Sequence, residues 1–183
     1  MAETAHRNRR ALWSWRYVRT ERRRAYRLAF ILFWSIVVYF AFTGYVASMG
    51  VIVNRSMHPT LSEGSYYWVN RYTYRFAPPR RGDIVVFRRP GDPSREYVKR
   101  VIGLPEETVL VRSGAVSING RRLTEPYAVG ATDGDLGPLA LGRDTYFVLG
   151  DNRMESEDSR HFGAIPLGDI TGKIDPGTLF PYR

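Results

Sequence analysis

Hydrophobic and polar positions divide this 183-residue chain into two unlike parts. From Leu28 to Asn54 no side chain is charged, and LAFILFWSIVVYFAFTGYVASMGVIVN offers no polar face to a helix of any register. A helix needs about 20 apolar residues to cross the hydrocarbon core, and this run has 27. A cleaved signal peptide would have an apolar stretch of about 7–15 residues before a small-residue site. Ala47-Ser48-Met49 matches such a site poorly. The pattern predicts one retained transmembrane anchor over residues 28–50, after a tail over 1–27 and before a domain over 51–183.

Beyond the anchor the period changes to that of strands. Tyr66–Asn70, Gly82–Phe87, Glu96–Ile102, Thr108–Val111, Ala115–Ile118, Arg121–Leu123 and Thr145–Leu149 are β-branched or aromatic runs between Gly, Pro, Asn and Ser. Ser113-Gly114 and Asn119-Gly120 read as hairpin turns. Gly130–Arg143 reads as a surface loop. No long amphipathic helix follows residue 54, so the expected fold class is mostly β, with short antiparallel strands. The stretch SYYWVNRYTYRF, residues 65–76, holds six aromatics. Two readings stand for it: strand packing, or an aromatic surface seated in the outer leaflet.

Charge orients the chain. Residues 1–27 hold nine arginines against Glu3 and Glu21, which is +7 of the net +9. Such a basic flank places the N-terminus in the cytoplasm and the domain outside, with anionic lipid headgroups as partners of the tail. The remaining +2 argues against a nucleic-acid partner. No cysteine is present, which excludes disulfides, thiolate zinc sites and thiol catalysis.

The candidate nucleophile is Ser56 in NRSMHPTLSEG, just past the apolar run. His58 is too near in sequence to serve it, and His6 lies in the tail. His161 with Asp158 makes a Ser–His–Asp triad conceivable. The lysines offer another base. Only Lys99 and Lys173 occur, against 25 arginines. Arginine keeps its proton in proteins, whereas a desolvated lysine can lose it. Lys99, between Val98 and Val101 on a strand-like run, fits a neutral amine that accepts a serine proton. Lys173 reads as a solvated charge. The segment GDNRMESEDSRHFG, residues 150–163, reads as a solvated loop with exposed ion pairs and no trusted metal-ligand spacing.

Four segments in order resemble the motif boxes of bacterial type I signal peptidases: SMHPTL at 56–61, RGDIVVF at 81–87, YVKRVIGLP at 97–105 and GDNRMESEDSRHFG at 150–163. The resemblance runs from the anchor to the end of the chain. It implies a core of coiled antiparallel β-sheets. It also implies a membrane-anchored serine endopeptidase that cuts signal peptides from exported preproteins after Ala-x-Ala-like sequences. By matching positions, Ser56 is the nucleophile and Lys99 the general base, with no histidine in the mechanism. Ser156 would hydrogen-bond the Lys99 amine, and Asp158 and Arg160 would form a supporting ion pair. The oxyanion donors would be the Ser56 backbone N–H and, where some relatives have serine, the Asn54 side-chain amide. Ile52, Val53, Met57, Tyr97 and Val98 would wall the pockets for small side chains. No metal and no cofactor is expected. Signal peptides are the implied substrates, with membrane lipid and the Sec translocon as neighbours.

Two positions depart from the family pattern: Arg55 before the nucleophile, and Glu106 where glycine is common after GLP. The interval between the lysine and GDNR boxes leaves no room for a large inserted domain. Two other readings remain at this point. One is a related Ser–Lys peptidase specialised for a conjugation or pilus substrate. The other is an inactive membrane-tethered domain that binds signal peptides.

Overall fold

A computed structural model describes residues 22–41 and 47–178. The chain divides into two compact units, residues 1–44 and 45–183. In the first, helix α1 spans Arg22–Ala41 and is long and apolar enough to cross a membrane. Its described side chains are exposed. The described helix already includes Arg22, Arg23, Arg24 and Arg27 ahead of Leu28, as arginine is a good helix former. The C-terminal part of the 28–50 segment differs from expectation: Ala47–Val51 is a strand, β1. Met49, Gly50 and Val51 are as apolar as a helix core, so hydropathy alone does not separate the two.

The second unit is built on antiparallel strands, as the alternation predicts. They are β1, β2 (Tyr66–Asn70), β3 (Ile84–Arg89), β4 (Asp92–Gly103), β5 (Thr108–Arg112), β6 (Ala115–Ile118), β7 (Arg121–Arg122), β8 (Leu136–Ala140), β9 (Thr145–Leu149), β10 (Ile165–Pro166) and β11 (Ile170–Ile174). The larger sheet has the order β1-β2-β11-β3-β4-β9-β10, and the smaller β7-β6-β5-β8. A single turn of helix, α2, covers Ser159–Phe162. Strand β8 falls inside the segment read as a loop, because its Gly and Pro mask a pairing with β5. Strand β11 is likewise unpredicted. Its Lys173 is no free surface charge, since it pairs with Asp83 at 2.7 Å.

The core lies on both faces of the larger sheet. On β3, Ile84 and Val86 join Ile52, Met57, Leu61 and Val69, while Val85 and Phe87 join Val101, Tyr146 and Val148. A third cluster, Ile102, Val109, Val111, Phe147 and Leu149 among it, packs the smaller sheet. Gly103 ends β4 at this junction. A Cβ there would lie 2.6 Å from Val109 and 2.7 Å from Leu141, so only glycine lets the sheets meet. In β2 the alternation buries Tyr67 and Val69 and exposes Trp68. The aromatic stretch therefore divides between core and surface.

Candidate active site

Ser56 follows β1 in a tight turn. Met57 and Leu61, four residues apart, are both buried, and the Leu61 N–H bonds the Met57 carbonyl at 2.9 Å. These two apolar anchors belong to the core and pin the turn, with Ser56 next to Met57, against it. Lys99 comes from the middle of β4, opposite Val85 in register. Its Nζ lies 2.6 Å from Ser56 Oγ. Both side chains are buried, with Ser56 4% and Lys99 3% exposed.

Burial penalises the charged amine and pushes the Lys99 pKa from 10.5 down to about 8, although Asp158 and Glu157 pull it up. The amine is thus poised to be neutral a little above physiological pH. A neutral amine within hydrogen-bond reach of a hydroxyl can accept its proton.

The 150–163 segment surrounds this pair, and it is not a solvated loop. Asp158 is buried, and Arg160 grips it through Nε at 2.8 Å and Nη2 at 2.9 Å. Burial would raise the Asp158 pKa, but Arg160 and the Gly150 N–H hold it below the usual carboxylate range. Arg160 also donates to the carbonyls of Arg153 and Ser156. The Asn152 N–H bonds the Ser56 carbonyl at 3.0 Å, which ties the segment to the serine turn. A Cβ on Gly150 would lie 2.5 Å from that carbonyl oxygen and closer still to Ser156 Oγ, so glycine is required for the approach.

Two expected contacts differ. Among the described residues Ser156 Oγ is buried and makes no hydrogen bond to the Lys99 amine, so the expected contact is absent. The hydroxyl packs against Gly150 instead. Asn54 does not offer its amide to the site. Its Oδ1 accepts from Ser56 Oγ at 2.9 Å and from the Ser56 N–H at 3.3 Å. An Asn carbonyl readily reaches the N–H two residues on, and that local turn wins here.

Ile52, Val53, Met57, Tyr97 and Val98 line one groove of about 410 Å³, together with Asn54 and Lys99. Ile52 and Met57 are buried in its floor, whereas Val53 is 81% exposed. Tyr67, also in the lining, was not foreseen. Its ring lies across Gly50, where a Cβ would stand 2.5 Å from the ring carbon bearing the hydroxyl. His161 is exposed and lines a different cavity with Asp133 and Asp135, so a triad with Ser56 is not assembled. The Arg55 charge is answered by Glu63 at 3.1 Å.

Sequence reasoning missed a second buried ion pair. Arg100, next to Lys99, binds Asp151 through two bonds of 2.8 and 2.6 Å. Thr60 donates to the same carboxylate at 2.5 Å. Arg153, fully buried, is held by Glu125 at 2.6 Å. The available signal was an arginine beside a strand lysine and an aspartate in GDNR, which only folding pairs.

The chain is similar to known proteins of one family. The family described as "Signal peptidase, peptidase S26" matches residues 24–177. A signal peptidase I of Leptolyngbya laminosa is 41% identical over 146 residues, covering 76% of this chain and 72% of that protein. One from Bacillus caldolyticus is 38% identical over 145 residues, covering 72% of this chain and 79% of that protein. A crystal structure of a signal peptidase I from Enterococcus faecalis V583 is 34% identical, covers 54% of this chain and 98% of its own, and has a TM-score of 0.49.

Proposed function

The chain belongs to the signal peptidase family S26, whose members are serine endopeptidases, and on that premise we propose that it removes N-terminal signal peptides from exported preproteins. Cleavage falls after Ala-x-Ala-like sequences, with Ser56 as nucleophile and Lys99 as general base. The observation that carries this reading is the buried 2.6 Å contact between Lys99 Nζ and Ser56 Oγ. Neutral Lys99 takes the hydroxyl proton as Oγ attacks the scissile carbonyl, and the proton then passes to the leaving amine. Lys99 next activates the water that hydrolyses the acyl-enzyme. Asp158 and Arg160 act as a clamp that fixes the 150–163 segment against the dyad. The groove floored by Ile52 and Met57 accepts small side chains and excludes larger ones by shape.

Helix α1 fits a single membrane anchor, and the arginine excess orients it with the N-terminus in the cytoplasm. The domain over 51–183 then works outside, where substrates leave the membrane and the Sec translocon lies close. Met49, Val51 and Trp68 are exposed on the β1–β2 edge and suit contact with lipid. The test is cleavage of a preprotein bearing an Ala-x-Ala site by the full chain in detergent. Wild type and His161→Ala should cut, and Ser56→Ala and Lys99→Ala should not. Activity that survives in Lys99→Ala would remove the dyad. A folded wild type that cuts no preprotein would remove the signal-peptidase reading.

A further inference from the structure

Asn54 Oδ1 lies 2.9 Å from Ser56 Oγ and 3.3 Å from the Ser56 backbone nitrogen. A carbonyl under attack by Ser56 must bring its oxygen within reach of the same two atoms. Its carbon bonds Oγ, and the nearest backbone donor for the oxyanion is the Ser56 N–H. The Asn54 carbonyl oxygen therefore stands where the substrate's oxygen belongs. The proton points the same way. A hydroxyl has one proton to donate. Ser56 Oγ gives it to Asn54 Oδ1 at 2.9 Å, while Lys99 Nζ donates to the same oxygen at 2.6 Å. General-base catalysis needs that proton directed at Lys99 instead.

We propose that the Asn54 carboxamide is a built-in occupant of the oxyanion position, displaced by the scissile carbonyl of each substrate. This rests on Ser56 being the nucleophile, as proposed above. Asn54 is then a positioning residue: it sets substrate affinity and the readiness of Ser56, and does not hold the transition state. The side chain is exposed and makes no other hydrogen bond among the described residues, so it can swing into water. As it leaves, the Ser56 N–H passes to the substrate oxygen and the Oγ proton turns to neutral Lys99. The Oγ–C bond forms, the carbonyl π pair moves onto oxygen, and the proton is carried by Lys99 Nζ.

The test compares the full-length wild type, Asn54→Ala and Asn54→Asp in detergent. Amide hydrogen exchange at Ser56, followed by NMR, reads the contact without any turnover. KM, kcat and inhibition by a peptide aldehyde ending in Ala-x-Ala read its consequence. Asn54→Ala should speed exchange at Ser56. It should also lower KM and the aldehyde inhibition constant about two- to tenfold, the size of one exchanged hydrogen bond. Asn54→Asp, with a carboxylate in the position of the oxyanion, should weaken aldehyde binding at least tenfold by like-charge repulsion, as an order-of-magnitude expectation. A fall in kcat of about 10²–10³ in Asn54→Ala at unchanged KM would overturn the proposal and make the amide a donor. Unchanged exchange at Ser56 would overturn it as well, even if wild type cleaved nothing. Cleavage lost in Ser56→Ala alone would uphold the nucleophile whatever Asn54 does, so the two readings fail separately.

Discussion

Lys99 Nζ lies 2.6 Å from Ser56 Oγ, although 43 residues separate them in sequence. One group comes from a turn pinned by Met57 and Leu61, the other from the middle of a paired strand. Neither can move far without breaking buried contacts. In the proposed roles of base and nucleophile, groups held this way need little reorganisation before reaction.

The proposed dyad predicts that activity depends on pH with a definite sign. As the proposed general base Lys99 must be neutral, and burial lowers its pKa to about 8. kcat/KM should therefore rise about tenfold per pH unit below that value and level off above it. A pH–rate profile on a peptide substrate checks this. A flat profile between pH 6 and 9, values that bracket the titration, would exclude a titrating lysine base.

The same burial should cost stability at neutral pH. The Lys99 pKa falls from 10.5 unfolded to about 8 folded. The unfolded chain thus binds more protons between these values, and wild-type stability rises with pH across that window. Below it the penalty is fully present. Lys99→Met should then be more stable than wild type at pH 7 by on the order of 3 kcal/mol. The gain should fade from about pH 8 to 10.5. Denaturant unfolding at several pH values measures it.

Arg100 and Asp151 form the buried pair beneath the site, 10% and 1% exposed in their side chains. Arg100→Ala leaves a carboxylate buried beside Thr60 without its cation. Loss of about 3–5 kcal/mol is expected. The double variant Arg100→Met, Asp151→Leu removes both charges and should recover most of that loss. Thermal unfolding of the single and double variants separates a lost charge partner from lost packing.

Glu106 sits at φ +66°, the left-handed region. It follows Pro105 in a turn closed by the Glu107 N–H on the Leu104 carbonyl at 3.2 Å. Pro at the second position and a positive φ at the third define a type II turn, which favours glycine there. The exposed contact to Arg143 at 3.7 Å offsets little of this. Glu106→Gly should stabilise the fold by about 1 kcal/mol. An unfolding midpoint no higher than that of wild type would show that the turn is unstrained.

By itself the sequence determined the apolar N-terminal segment and the β class of the domain, and it made Lys99 a candidate base beside a His161 alternative; the pairing of Ser56 with Lys99 came from the family resemblance. The first two are written in local pattern, a long charge-free run and period-two alternation, and the lysine candidate in its rarity on an apolar strand. The tertiary structure decided what alternation does not encode. Strands β8 and β11 exist because partners pair with them, although their own residues read as loop and surface. Arg100 meets Asp151, and Arg153 meets Glu125, only once distant strands and loops close on one another. Asn54 faces Ser56 with its carbonyl rather than its amide because the turn geometry selects one end of a side chain whose two ends look alike in sequence. Hydrophobic period specifies which elements form. Buried polar groups must find partners in space, and that requirement fixes the site only in the folded chain.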